Sequence, residues 1–178
     1  ARIRCMDEIE KNIAAFINTK NTKAALDYID DYDKKILSLS KKRYCQNSII
    51  NNILSVYSMI FDENNIEFNV KCQINENIKI KDIDLVSLLG NLLENALNAC
   101  VKSDNELKKV EIYITVNNNK LIIICENTCD YDLELIENVP KNKGIGISSI
   151  LSVCEIYKGN LSYSLKNEIC SVCVTLSL

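Results

Sequence analysis

The sequence predicts an α+β fold, in which a helical hairpin precedes a mixed, mostly antiparallel sheet with helices packed on one face. Two observations carry that prediction. The spacing of apolar residues switches from a period of about 3.6 to a period of 2 near residue 65 and then alternates between the two. Two pairs of alternating segments are also joined by short polar turns, the signature of hairpins. A chain of 178 residues buries a sizeable core and fits one domain with a short appendage.

Met6, Ile9, Ile13, Phe16 and Ile17 recur at helical spacing, as do Leu26, Ile29, Tyr32, Ile36 and Leu39, with Asn18-Thr19-Lys20-Asn21 between them. Two amphipathic helices joined by a polar loop cannot bury both stripes alone, so residues 1–41 predict a hairpin that dimerises, and 42–178 the second domain. After the basic, polar stretch Ser40–Gln46, a helix is predicted from Asn47 to about Asp62, with Ile50, Ile53, Leu54, Tyr57 and Ile60 inward. Ile66, Phe68, Val70 and Cys72 alternate with Glu67, Asn69 and Lys71 as a half-buried strand does. A helix follows from Asp82 or Asp84 to about Lys102. Strands over Val110–Val116 and Leu121–Glu126 turn at Asn117-Asn118-Asn119. The stretch Thr128–Lys143 is polar and carries the only proline, Pro140. Gly144-Ile145-Gly146 then opens a helix to about Tyr157, and strands over Asn160–Leu165 and Ile169–Leu176 turn at Lys166-Asn167-Glu168.

The chain contains no histidine, which removes His-based acid–base catalysis, Ser-His and Cys-His nucleophiles and His-ligated metals from consideration within it. Nine cysteines are an odd number in a chain rich in regular segments, so they read as buried free thiols of a reducing compartment, not as a disulfide framework. Cys170 and Cys173 lie three apart in an alternating strand and point to opposite faces, which argues against a zinc site. A net charge of −3 leaves no basic footprint for nonspecific nucleic-acid binding. No apolar run approaches the roughly 18 residues of a membrane span, and no signal peptide opens the chain, so the sequence reads as a soluble body or fragment.

Three constellations bear chemistry. At 100° per residue, Asn91, Glu94, Asn95 and Asn98 fall within about 100° of arc, while Leu85, Leu88, Leu89, Leu92, Leu93, Ala96, Ala99 and Cys100 fill the other side. Asparagine is a poor helix former, and a solvated face normally carries Lys, Glu and Arg. Because 23 of the 178 residues are Asn, only such a patterned set counts. Carboxamide and carboxylate oxygens are hard ligands that suit Mg²⁺, and Glu94 is placed to orient an attacking group. In Lys141-Asn142-Lys143-Gly144-Ile145-Gly146-Ile147, the two glycines let backbone N–H groups approach phosphate, and the helix N-terminus and the lysines add positive charge. Neither the dinucleotide-binding fingerprint nor the Walker loop is present. Third, Asn127 ends an apolar strand with a donor and an acceptor suited to a base edge.

In order and spacing, NLLENALNAC (91–100), IIICENTCD (122–130) and NKGIGISSILSVCEIYKGNLSYS (142–164) resemble the ATP-binding domain of sensor histidine kinases. These belong to the gyrase, chaperone, kinase and mismatch-repair (GHKL) ATPases, and the flavour is similar to the peptide-receptor kinases of quorum sensing. The resemblance covers about Lys42–Leu178 and implies a two-layer α/β sandwich of the Bergerat type that binds ATP with Mg²⁺. It implies that Asn95 is the Mg²⁺ ligand, that Asn91, Asn98 and Lys102 lie near the phosphates, and that Glu94 assists transfer as base or polariser. Thr128–Lys143 would be the ATP lid, with Lys141 and Lys143 near its end, and Gly144, Ile145, Gly146 and Ile147 would form the glycine box. Asn127 stands where the family's adenine-reading Asp-x-Gly-x-Gly box has its aspartate.

The hairpin resembles, less specifically, the dimerisation and phosphoacceptor helices, but Met6-Asp7-Glu8-Ile9-Glu10 stands where the family has its acceptor histidine. The acceptor therefore lies upstream of Ala1 or does not exist. The first case implies a histidine kinase and the second an ATP-gated module that phosphorylates nothing. The implied partners are a second copy through the N-terminal helices and a response regulator. The implied location is the cytoplasmic portion of a bacterial membrane protein.

Overall fold

The computed structural model describes residues 43–74, 77–130 and 134–178, together with Lys23 and Leu26. Apart from those two positions, the helices expected over Met6–Ile17 and Lys23–Leu39 lie outside the described residues. Within the unit Lys42–Leu178 the elements are α1 (Ser48–Glu63), β1 (Glu67–Gln73), α2 (Asp82–Lys102), β2 (Lys109–Asn117), β3 (Lys120–Thr128), β4 (Leu135–Ile136), β5 (Val139–Pro140), α3 (Ile145–Ile156), β6 (Asn160–Lys166) and β7 (Ile169–Ser177). Among the described residues no helix is long and apolar enough to cross a membrane.

Local chemistry sets the element ends. Asn47 caps α1 by accepting the Ile50 N–H on its side-chain oxygen at 3.0 Å. The helix ends at Asn64 and Asn65, and Asn65 takes a left-handed φ of 55°. α2 has no side-chain cap; Asp82 and Asp84 in its first turn and Lys102 in its last complement the helix dipole instead. The hairpin between β2 and β3 is tighter than the three asparagines suggest. Asn117 pairs with Lys120, so the turn is Asn118-Asn119, both at positive φ, as a two-residue turn of the primed type requires. Asn167-Glu168 makes the same kind of turn between β6 and β7.

The stretch Thr128–Lys143 differs from the expectation of a plain polar loop. Thr128 completes β3, and β4 and β5 form a small hairpin that turns at Glu137-Asn138, again at positive φ. Strands of two residues are too short to show alternation, which is why the sequence does not announce them. The Tyr163 N–H donates to the Asn138 carbonyl at 2.7 Å and ties this hairpin to β6.

The main sheet has the order β1-β2-β3-β7-β6, with β1 and β2 parallel across the α2 crossover and every other pair antiparallel. One face, with Val110, Ile112, Ile114, Leu121, Ile123, Cys125, Val172, Val174, Leu161 and Tyr163, is buried in the core it shares with the helices. Leu85, Leu88, Leu89, Leu92 and Leu93 of α2 are all nearly inaccessible, and each such leucine contributes about 1.5–3 kcal/mol through burial. α2 is therefore the central element of the helical layer.

Helices α2 and α3 are also locked to each other. The Tyr157 hydroxyl donates to Asp84 Oδ2 at 2.6 Å and accepts from the Lys81 N–H at 3.0 Å, which ties the end of α3 to the start of α2. Burial, and then the Asp84 carboxylate that accepts its proton, raise the pKa of the phenol. Tyr157→Phe keeps the ring and removes a hydrogen bond to a charged group, so the variant is expected to lose about 1–2 kcal/mol. In thermal denaturation that reads as a midpoint lower by about 2–6 °C; an unchanged midpoint would show that the contact is not stabilising.

Candidate functional site

The polar stripe of α2 survives folding. Asn91, Glu94 and Asn95 are half-buried and Asn98 and Lys102 are exposed, between flanks of buried leucine and alanine. At 100° per residue, Asn95 lies at one edge of the arc and Glu94 at the other, and the two meet different neighbours. Asn95 lines a cavity, whereas Glu94 faces α1, where the Tyr57 hydroxyl lies 3.3 Å from its Oε2. Asn91 donates to the Ser87 carbonyl at 2.7 Å, which fixes its amide.

The glycine-opened helix packs against this stripe. Gly144 is the N-cap of α3 and offers no side-chain cap, so the first-turn N–H groups have no acceptor within the helix. A Cβ placed on Gly146 would sit 3.0 Å from Asn91 Oδ1 and 3.5 Å from Asn95 Oδ1. The missing side chain is what lets the α3 backbone approach the two carboxamides. Ile145, by contrast, is 89% exposed and points away from the core.

Between α2, the inner sheet face, Pro140 of the hairpin and Ile147 of α3 lies a cavity of about 490 Å³, within the usual size range of small-molecule sites. Its polar side chains are Asn95, Asn98, Lys102, Asn127 and Tyr163. Much of the rest is apolar or soft, including Leu92, Ala96, Ala99 and Val172, with the Cys125 and Cys170 thiols in the sheet wall. Asn127 is 5% exposed, and one of its amide N–H groups donates to the Thr128 carbonyl at 2.9 Å. Its Oδ1 and second N–H are what it can offer a ligand. Burial, followed by the neighbouring thiols Cys170 and Cys100, pushes Cys125 up to about 12, and burial followed by Cys129 does the same for Cys170. At neutral pH both are uncharged thiols, so the sheet wall carries no ionised group.

One atom in this arrangement is unsatisfied. Asn95 Nδ2 is buried and has no hydrogen-bond partner among the described residues. A buried donor left unpaired costs about 1–3 kcal/mol, and such a group points to a missing partner. The donor set also suits a hard cation held jointly with phosphate. Mg²⁺ needs only one or two protein oxygens when substrate and water supply the others. The two carboxamides beside Gly146 offer such oxygens.

The cavity thus brings together Asn95, Asn98, Lys102, Asn127 and Ile147 of the residues picked out from the sequence, and Asn91 and Gly146 meet at its edge. Its lining does not include Glu94, Gly144, Ile145, Lys141 or Lys143. Lys141 is bonded to Glu134 at 2.9 Å, and both lysines line a second cavity of about 580 Å³ with Glu137, Glu155 and Asn160, separated from the first by Pro140. Cys125, Cys170, Val172, Tyr163 and Pro140 line the first cavity without having been singled out. The first four lie on the buried face of their strands, and only the fold shows which buried positions the helices leave uncovered.

A sheet of this order, covered on one face by helices and with a glycine-opened helix set against a carboxamide stripe, defines a two-layer α/β sandwich of the Bergerat type. The family model of the GHKL domain matches residues 78–177, more than half of the chain, and the chain belongs to that family. Solved structures agree in fold. The catalytic domain of histidine kinase ThkA, in a nucleotide-free form, superposes with a TM-score of 0.59 at 15% identity over 72% of this chain and 89% of its own. The Acinetobacter baumannii histidine kinase AdeS gives 0.58 at 14% identity over 99% and 96%. The histidine kinase domain of the blue-light activated kinase of Erythrobacter litoralis gives 0.59 at 14% over 81% and 69%. No curated protein sequence matches.

Proposed function

We propose that this chain is the ATP-binding catalytic region of a two-component sensor histidine kinase, binding Mg-ATP in the cavity beside α2. The observation that carries the reading is the buried, unpartnered amide of Asn95 set against the open backbone of Gly146. In this reading Asn127 meets the adenine edge, and Asn91, Asn98, Lys102 and the first turn of α3 meet the phosphates. Asn95 would hold Mg²⁺, which when bound neutralises charge on the β- and γ-phosphates. Glu94 orients the attacking group. Lys141 and Lys143, which face away from this cavity, reach phosphate only if Thr128–Lys143 closes as a lid. Residues 1–41 form the dimerisation domain and 42–178 the catalytic domain. The wider reading adds a response regulator as the next phosphoryl acceptor and a cytoplasmic position in a membrane-tethered receptor of the peptide-sensing kind.

Titration calorimetry on the whole chain tests this. Mg-ATP is expected to bind, more weakly once EDTA removes the metal, and an absence of heat at millimolar ligand would end the proposal. A second reading rests on one observation, that the chain holds no histidine. An ATP-gated module would bind Mg-ATP equally well and transfer nothing. The two part on whether label from γ-labelled ATP reaches a histidine on an added acceptor hairpin.

A further inference from the structure

Tyr57 belongs to α1, outside the cavity, yet its hydroxyl reaches across to the α2 stripe. It lies 3.0 Å from the Gly90 carbonyl and 3.3 Å from Glu94 Oε2, two acceptors one helical turn apart. The ring is held in place. It packs against the core, with its centroid 6.0 Å from that of Phe61, which is fully buried and stacks in turn near Phe68 at 4.7 Å. A phenol carries one proton, and the Gly90 carbonyl already receives the Glu94 N–H in a regular helix. A carboxylate is the stronger acceptor of the two.

We infer that Tyr57 is a positioning residue for Glu94: its hydroxyl, fixed by the α1 core, restrains the rotation of the Glu94 carboxylate at the edge of the nucleotide site. An unbraced glutamate has three free side-chain torsions, and freezing them before the reaction is the kind of preorganisation that raises a rate without tightening ground-state binding. The inference rests on the role given to Glu94 above. Where water takes the place of the acceptor imidazole, its oxygen would bond to the γ-phosphorus as the bond from that phosphorus to the β,γ-bridging oxygen breaks. The water proton passes to the Glu94 carboxylate that Tyr57 orients, and ADP leaves.

Tyr57→Phe in the whole chain tests this, because it keeps the ring and its packing. The expected result is a kcat for Mg-ATP hydrolysis lower by about tenfold with KM unchanged. The ¹³C carboxyl resonance of Glu94, assigned by its disappearance in Glu94→Gln, is expected to move in Tyr57→Phe even without nucleotide. That resonance is readable whether or not the chain turns ATP over. A resonance that stays in place overturns the inference, as does a variant that loses KM and kcat together. Glu94→Gln with wild-type kcat would instead remove the role given to Glu94. A slow Glu94→Gln beside a Tyr57→Phe of wild-type rate would remove the brace alone.

Discussion

Asn95→Ala is expected to weaken Mg-ATP binding by about 100-fold or more while leaving the ligand-free chain at least as stable as the wild type. The two effects have opposite signs because they come from the same atom group. In the ligand-free fold, Asn95 Nδ2 is buried without a partner, and removing an unpaired donor recovers about 1 kcal/mol. Alanine is also a better helix former than asparagine, by roughly half a kcal/mol. The neighbours of the missing amide, Gly146 and the cavity, make no hydrogen bond to it that would be lost. The melting midpoint without nucleotide should therefore hold or rise by about 2–4 °C. With Mg-ATP the sign reverses, because the variant lacks the carboxamide that would hold the metal in the proposed site, and Kd should rise about 100-fold or more. Calorimetry and thermal denaturation on the same preparations check both halves. A variant that melts lower and still binds would make Asn95 a structural residue and the cavity something other than the proposed site.

The contrast between a leucine-rich surface and the positions withheld from it made much of the candidate site legible in the sequence. A helix whose circumference is mostly leucine and alanine advertises any position it withholds from the core, and Asn91, Glu94, Asn95 and Asn98 stand out on those grounds alone. The same holds for Gly146, because a missing side chain at the start of a helix marks a close approach. The strands were legible because period-2 alternation fixes which face is buried: Cys170 is buried and Cys173 half-exposed, as their spacing of three requires. What the sequence hid depends on long-range packing. Lys141 and Lys143 sit close in sequence to the glycines, and charge near a phosphate-binding loop is a reasonable expectation. The β4–β5 hairpin nevertheless turns them to the far side of Pro140, where Glu134 takes Lys141. Tyr57 read as a core residue, which its ring is. Nothing local to α1 could show that its hydroxyl would meet Glu94, 37 residues away.

Gly159→Ala is expected to be the most destabilising of the four possible glycine-to-alanine changes. In many helices a glycine just past the end is there to take a left-handed φ, but here Lys158 takes it, at 47°, and Gly159 is required for another reason. The turn lies directly on β7. The Ser177 N–H donates to the Tyr157 carbonyl at 2.9 Å, and the Gly159 N–H closes back on the Cys154 carbonyl at 2.7 Å. A Cβ on Gly159 would overlap the Thr175 carbonyl oxygen and come within 2.7 Å of Leu176 Cδ2. Leu176 is fully buried, and Thr175 is held on both sides, paired with Ile122 of β3 and Asn160 of β6. A flexible side chain could give way to the methyl, but a backbone carbonyl in mid-sheet cannot. The cost should exceed the usual penalty for overpacking and reach at least about 3 kcal/mol. Thermal or urea denaturation measures it, and Gly90→Ala provides the contrast. Gly90 is inside α2 with open space where its Cβ would be, so the same change there should stabilise by about 0.5–1 kcal/mol. If Gly159→Ala were neutral, the end of α3 would have to be free to lift off β7. The Tyr157–Asp84 link, which depends on that turn staying in place, could then not be holding α3 against α2 and the cavity.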